Sequence, residues 1–210
     1  MARILFELAA QQGNATAMKD LGIIYFNGLG AEQSNERAKE YYEQAADLGH
    51  ASAMFNLALL YKNGQGVEQS YEKAKEYYEH AAHLGDAGAI LGLGYMYDHS
   101  EGVEQSYERA FEYYEQAAHL GNVSAHYILG EMYYHGKGVE QSYERAFKYY
   151  EQAADLGFAS AQESAQFILG AMYYNGDGVE RDIAKTREWW TKAAAQGNED
   201  ALKNLKLINS

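Results

Sequence analysis

The feature that most limits how this chain folds is a period. Leu-Gly pairs end at Gly49, Gly85, Gly121 and Gly157, 36 residues apart each time; Gly13 extends the series backwards by 36 and Gly197 closes it after 40. A chain of 210 residues with such self-similarity reads as an array of small units that bury their apolar faces against one another. Each unit carries an alanine, then Leu-Gly-x-x-Tyr, Gly-x-Gly-Val-Glu-Gln-Ser, and Ala-x-x-Tyr-Tyr-x-x-Ala-Ala-x-x-Gly. The units are placed at residues 14–49, 50–85, 86–121, 122–157 and 158–197, the last with a four-residue insertion. Residues 1–13 make half a unit before them and residues 198–210 a capping helix after them, all within a single solenoid domain.

Within a unit the apolar spacing is helical. Ala17, Leu21, Ile24 and Tyr25 fall at i, i+4, i+7 and i+8, and Ala38, Tyr42, Ala45 and Ala46 repeat that spacing further on. Between them, Asn27-Gly28-Leu29-Gly30 is a turn signal. A hairpin this short cannot cover its own apolar face, so neighbours must stack. The expected class is all-α: an α-solenoid superhelix of stacked antiparallel helix pairs.

Composition agrees with that reading. Average usage gives about 5% proline, yet the chain has none; a mid-helix proline costs about 3 kcal/mol. The slot after the unit's leucine holds Gly22, Ala58, Gly94, Gly130 and Gly170, where a larger side chain would push the helices apart. In the last half-unit Lys206 takes that slot, so Lys203, Asn204 and Lys206 are expected on a solvated helix that stops the stack. The net charge of -13 argues against nucleic acid and against an anionic membrane surface as partners. Zero cysteine excludes disulfides and thiolate metal sites. No apolar run is long enough for direct membrane insertion, and Glu7 interrupts any signal-peptide core at the N-terminus.

The 36-residue unit with Leu-Gly-x-x-Tyr, Gly-x-Gly-Val and Ala-Ala-x-x-Gly resembles the Sel-one-like repeat (SLR) family of the tetratricopeptide-like superfamily. The likeness covers essentially the whole chain. Departures are local: Ser100 stands for the first turn glycine of the third unit and Ala31 for valine in the first. The inserted residues around Ala159 to Gln166 amount to about one helical turn. The resemblance implies a non-enzymatic scaffold or adaptor that binds a protein or peptide. It also implies that the first helix of each unit lines a concave groove.

Carried over by this chain's own register, that groove takes Lys19, Ile23, Phe26 and Asn27 from the first unit and Phe55, Leu59, Lys62 and Asn63 from the second. Leu91, Tyr95, Asp98 and His99 come from the third, Tyr127, Glu131, Tyr134 and His135 from the fourth, and Phe167, Tyr174 and Asn175 from the fifth. These positions differ from unit to unit, whereas second-helix positions repeat almost verbatim. Aromatic anchors with polar tips suit a binding surface, and Asn27, Asn63 and Asn175 are expected to hydrogen-bond a bound segment's backbone. The glutamates of the second helix, such as Glu72, Glu76 and Glu79, are expected on the opposite, solubilising side.

Other patterns are weighed and set aside. Ser70-Tyr71-Glu72-Lys73 matches the Ser-x-x-Lys of β-lactam-recognising enzymes, an activity discussed for some SLR proteins. The equivalent positions hold Ser34, Ser106, Ser142 and Asp182, and serine interchangeable with aspartate before a helix is an N-cap. No Ser-Asp-Asn or Lys-Thr-Gly accompanies it. His80 and His83 lack the spacing of a metal-binding helix. Asn14 and Asn122 head glycosylation sequons, but His50, Asp86 and Asn198 share their place, so capping is the expected role. The Gly-x-Gly turns lack a phosphate-loop lysine, so neither metal nor cofactor is expected. A third reading makes the chain part of a longer repeat array. Its opening half-unit would then present Ile4, Leu5 and Leu8 at an edge open to self-association.

Overall fold

The computed structural model describes residues 2–156 and 159–208. Those residues are helical, with no strand among them. They form two compact units, divided between Gln105 and Ser106. The first holds α1 (Ala2–Gln11), α2 (Ala15–Asn27), α3 (Asn35–Asp47), α4 (Ala51–Asn63), α5 (Tyr71–His83) and α6 (Ala87–His99), each packed on the next. The second holds α7 (Tyr107–His119), α8 (Val123–His135), α9 (Tyr143–Asp155), α10 (Ala159–Asn175), α11 (Ile183–Ala195) and α12 (Glu199–Ile208), again packed in chain order. The architecture is that of an α-solenoid of helix pairs. At 17 residues, α10 is one turn longer than the 13-residue α2, α4, α6 and α8, which is where the inserted residues go.

The repeated turn has a physical reason in each letter. Its first glycine ends the first helix in the left-handed conformation, as Gly64 does at φ 67, a region closed to most side chains. Ser100 takes the same conformation at φ 58 and donates its Oγ–H to the Val103 carbonyl, 3.0 Å away. The turn's glutamine reaches back to the first helix's last turn. Gln69 Nε2 donates to the Lys62 carbonyl at 2.8 Å and Gln141 Nε2 to that of Tyr134 at 2.7 Å. The serine then faces both ways. Its backbone N–H bonds the Tyr61 or Tyr133 carbonyl at 2.9 Å, and its Oγ caps the second helix. Orphan carbonyls and amides at both helix ends are thereby satisfied.

The helix pair is locked by a ring in a notch. Tyr42, Tyr78, Tyr114, Tyr150 and Trp190 are buried second-helix aromatics. Within the units, Gly22 faces Tyr42, Gly130 faces Tyr150 and Gly170 faces Trp190. A Cβ placed on Gly130 would stand 2.7 Å from Cε1 of Tyr150, and one on Gly22 or Gly170 would run into the ring more closely still. Ala58, fully buried in the equivalent slot, shows that one methyl is the upper limit the repeat uses. Leu21, Leu57, Leu129 and Leu169, all at 0% exposure, fill the space beside each notch.

Gly130→Leu is accordingly expected to remove about 2 kcal/mol or more through overpacking, read as a lower urea midpoint with helical content kept at low denaturant. A second expectation concerns alkali. Burial pushes the Tyr42 phenol up to about 12 from an ordinary value of about 10, so the fold favours its neutral form. That contribution is complete below the ordinary tyrosine range and is lost as pH rises from there toward 12. Tyr42→Phe should therefore flatten the fall in stability over that window, measured by denaturant unfolding at stepped pH.

Candidate functional site

The first helices carry the candidate residues on their outward side. Lys19, Ile23, Phe26, Phe55, Leu59, Lys62, Leu91, Tyr127, Glu131, Tyr134 and Phe167 are half-buried. Asn27, Asn63, Tyr95, His99, His135, Tyr174 and Asn175 are exposed. Asp98 differs: at 7% exposure it is part of the buried set, its carbonyl accepting from Gln105 Nε2 at 2.7 Å.

Several candidates are tied together within their own unit. In the first, Lys19 pairs with Asp20 at 2.5 Å and Lys62 with Glu101 at 2.8 Å. The Lys62 ammonium also sits 5.8 Å from the Tyr95 ring centroid, and Tyr95 stacks on His99 at 5.3 Å. In the second, Tyr150 donates its hydroxyl to Glu131 Oε1 at 2.5 Å, while His135 Nε2 lies 3.7 Å from Glu131 Oε2. Burial, then this bond to a carboxylate, holds the Tyr150 phenol strongly protonated. Tyr134 donates to Asp177 Oδ2 at 3.1 Å, and burial followed by that bond pushes its phenol up to about 12. Phe167 and Tyr174 both lie against Trp190, at 6.3 and 5.8 Å between centroids.

The three asparagines are more committed than their sequence suggests. Asn27 Nδ2 donates to the Ile23 carbonyl at 3.0 Å, Asn63 Nδ2 to Gln65 Oε1 at 3.4 Å, and Asn175 Nδ2 to Asp177 Oδ2 at 3.1 Å. One amide donor is thus engaged in each, by the helix's own last turn at Asn27 and by the following turn at Asn63 and Asn175.

Ser70 is built as a cap. Its Oγ accepts from the Lys73 N–H at 3.3 Å, and Lys73 Nζ sits 5.0 Å above the Tyr61 ring. Ser34, Ser106 and Ser142 accept the equivalent bond from Arg37, Arg109 and Arg145, and Asp182 from Lys185. The Ser-x-x-Lys pattern is thus one copy of a repeated cap with a cation over an aromatic ring. Asn14, Asp86, Asn122 and Asn198 likewise accept from the N–H three residues on. His50 does not: it makes no side-chain cap bond, and its buried Nδ1 has no partner. His80 is exposed, 4.0 Å from Glu76.

Three clefts lie elsewhere, between second helices and over a first helix. One of about 490 Å³ joins α1, α2 and α3, one of about 590 Å³ joins α3 and α5, and one of about 380 Å³ joins α7, α8 and α9. None of the groove candidates lines them. Each holds a cation over a tyrosine, as Arg37 over Tyr25, Lys73 over Tyr61 and Arg145 over Tyr133. Sequence reading passed over these residues because most sit at positions that repeat from unit to unit, the first-helix tyrosine and the second-helix cation among them; the signal available was the few places where that uniformity breaks.

A solenoid of such pairs, with its caps and notches, defines a helical-repeat protein. The Sel1 repeat profile matches residues 1–14, 15–50, 51–86, 87–122, 123–158 and 163–198, and the chain belongs to the Sel1 repeat family. The profile's boundaries fall one residue later than those read from the sequence, and its last repeat starts beyond the inserted turn. Proteins of this family are generally protein-interaction scaffolds.

Among solved structures, a protective antigen of uropathogenic Escherichia coli with an SLR fold is 34% identical with a TM-score of 0.87. That match takes in 97% of this chain but 43% of the antigen, so the chain spans less than half of that relative's length. A Sel1 repeat protein from Oxalobacter formigenes is 33% identical at a TM-score of 0.86, over 93% of this chain and 78% of its own. An immunity protein from Pseudomonas aeruginosa is 26% identical at 0.60, over 89% and 66%. The comparison with curated proteins returns no match. No helix among the described residues is long and apolar enough to cross a membrane.

If Ser70 is a cap, Ser70→Ala should lose about 1 kcal/mol of stability and Ser70→Asp much less. Thermal unfolding of the two variants side by side reads this directly.

Proposed function

We propose that the chain is a non-enzymatic adaptor whose first-helix surface, in each unit taken by itself, holds an extended segment or helix of a partner protein. The observation that carries this reading is a split between constancy and exposure. Positions that repeat, such as Leu21, Tyr42 and Ala45, are buried, whereas the candidate positions that vary are exposed or half-buried, Asp98 apart. Core packing accounts for the first set; the second packs only in part, with Phe26, Tyr127 and Phe167 against core clusters but half-buried. Aromatic side chains with a polar edge make good anchors, since they bury much area with few rotors. Family membership supports a protein as the partner, and the likeness to an immunity protein points the same way.

In this reading Tyr95 and Tyr174, at 37% and 39% exposure, are principal anchors of their respective units. Lys62 and Glu131 supply opposite charges on the two surfaces, and the free carbonyl edges of Asn27, Asn63 and Asn175 accept from the partner's backbone. Affinity capture with mass spectrometry identifies the partner, after which Tyr95→Ala and Tyr174→Ala are compared with the parent. Each should weaken binding by about tenfold or more, measured where the variant is fully folded so that loss of the Tyr95–His99 or Tyr174–Trp190 contact is not read as loss of binding. Undiminished binding by both variants would place the contact surface elsewhere.

A further inference from the structure

The repeat supplies an internal control for the clefts. The α7–α9 cleft is lined by Glu115, His119, His126, Arg145, Lys148 and Tyr149, among others. The α1–α3 cleft is its counterpart three repeats earlier, with Glu7, Gln11, Arg37, Glu40 and Tyr41 in the matching places. Both keep the same floor: a guanidinium over one tyrosine that stacks on a second. In the α7–α9 cleft Arg145 lies 5.4 Å from the Tyr133 centroid, and Tyr133 stacks on Tyr149 at 5.6 Å and 13°. In the other, Arg37 lies 5.2 Å from Tyr25, which stacks on Tyr41 at 5.6 Å and 5°.

The walls differ. Lys148 occupies the position held by Glu40, Glu76, Glu112 and Glu188 in the other repeats, a reversal of charge in an otherwise uniform slot. His126 occupies the position of Met18, Met54, Ile90 and Gln166, so an imidazole stands where the three earlier repeats hold an apolar side chain. The two departures come from different helices, α9 and α8, and meet in one cleft. Two carboxylates against one guanidinium in the α1–α3 cleft become one carboxylate, Glu115, against a guanidinium and an ammonium. His126 Nδ1 lies 3.0 Å from the Asn122 carbonyl, which can only accept. Nδ1 therefore carries the proton, and Nε2 is the ring's remaining polar atom. Lys148 is exposed, and the fold does not require a cation there, since the other repeats fold with glutamate in its place.

We infer that the α7–α9 cleft is an anion-accepting subsite for a carboxylate-bearing segment of a partner protein, with Arg145 and Lys148 pairing the carboxylates and the Tyr133–Tyr149 stack receiving an adjacent apolar side chain. It takes His126 and Tyr133 from α8 together with second-helix residues, and none of the first-helix groove candidates lines it. Selection of an acidic segment by an otherwise acidic chain needs such a local reversal, because charge complementarity acts at the contact and steers approach.

The test is an NMR titration with the blocked peptide acetyl-Glu-Asp-Leu-Glu-Asp-amide and its uncharged twin acetyl-Gln-Asn-Leu-Gln-Asn-amide. Expected are shift changes centred on His126, Arg145 and Lys148 with the acidic peptide and none with the twin. Lys148→Glu, which restores the residue of the other repeats and so keeps the fold, should weaken binding about tenfold. Lys203→Glu, an equal change of total charge on α12, should leave it unchanged. Absence of shifts at the cleft, equal binding of the twin, undiminished binding by Lys148→Glu, or equal weakening by Lys203→Glu would each overturn the assignment.

Discussion

Everything in these units hangs on a small residue beside a large ring. A first helix lies against its second helix where a small residue, Gly22, Ala58, Gly130 or Gly170, leaves room for Tyr42, Tyr78, Tyr150 or Trp190. The notch sets the helix separation, and the separation brings the unit's leucine to zero exposure. Close packing of this kind has no slack to lend. It also explains why Trp190 can replace tyrosine: its indole N–H finds the Phe167 carbonyl at 3.0 Å, so the larger ring is satisfied without widening the pair.

With the notch, the cap and the turn absorbing the constant residues, the variable ones are released for contact. Two surfaces result, each readable against the repeat. On first helices variation is the rule, and aromatics with polar edges collect there. On second helices uniformity is the rule, so Lys148 out of register carries information, and His126 of α8, where the three earlier repeats hold Met18, Met54 and Ile90, meets it in the same cleft. Glutamates at the remaining second-helix positions, such as Glu72, Glu76 and Glu108, are exposed. The net charge of -13 therefore describes a surface average and predicts neither site.

Much of the fold was legible in the sequence because a repeat states each rule several times. The period placed the helix pairs, glycine at the notch marked a close approach, and serine exchanging with aspartate marked the caps of α3, α5, α7, α9 and α11. What stayed hidden depends on distance in space. Asp98 reads like Lys62 and Tyr134, which share its place, yet it is buried where they are half-buried. The asparagines at the helix ends read as free donors, but Ile23, Gln65 and Asp177 already engage them. His50 stands in a capping position that aspartate and asparagine fill, and its ring does not reach the amide. The clefts were invisible for another reason: a cation, two tyrosines and a carboxylate come from three helices, and no local spacing announces them.

The most direct test of the notch is a double-mutant cycle on Gly22 and Tyr42. Gly22→Val alone should be strongly destabilising, as should Tyr42→Ala alone, the first by overpacking and the second by leaving a cavity. If ring and notch are one interaction, the double variant should be more stable than the two losses added together, by about 1 kcal/mol or more. Losses that add to within about 0.5 kcal/mol would mean that the two positions act separately, and the notch would not be what holds the helix pair together.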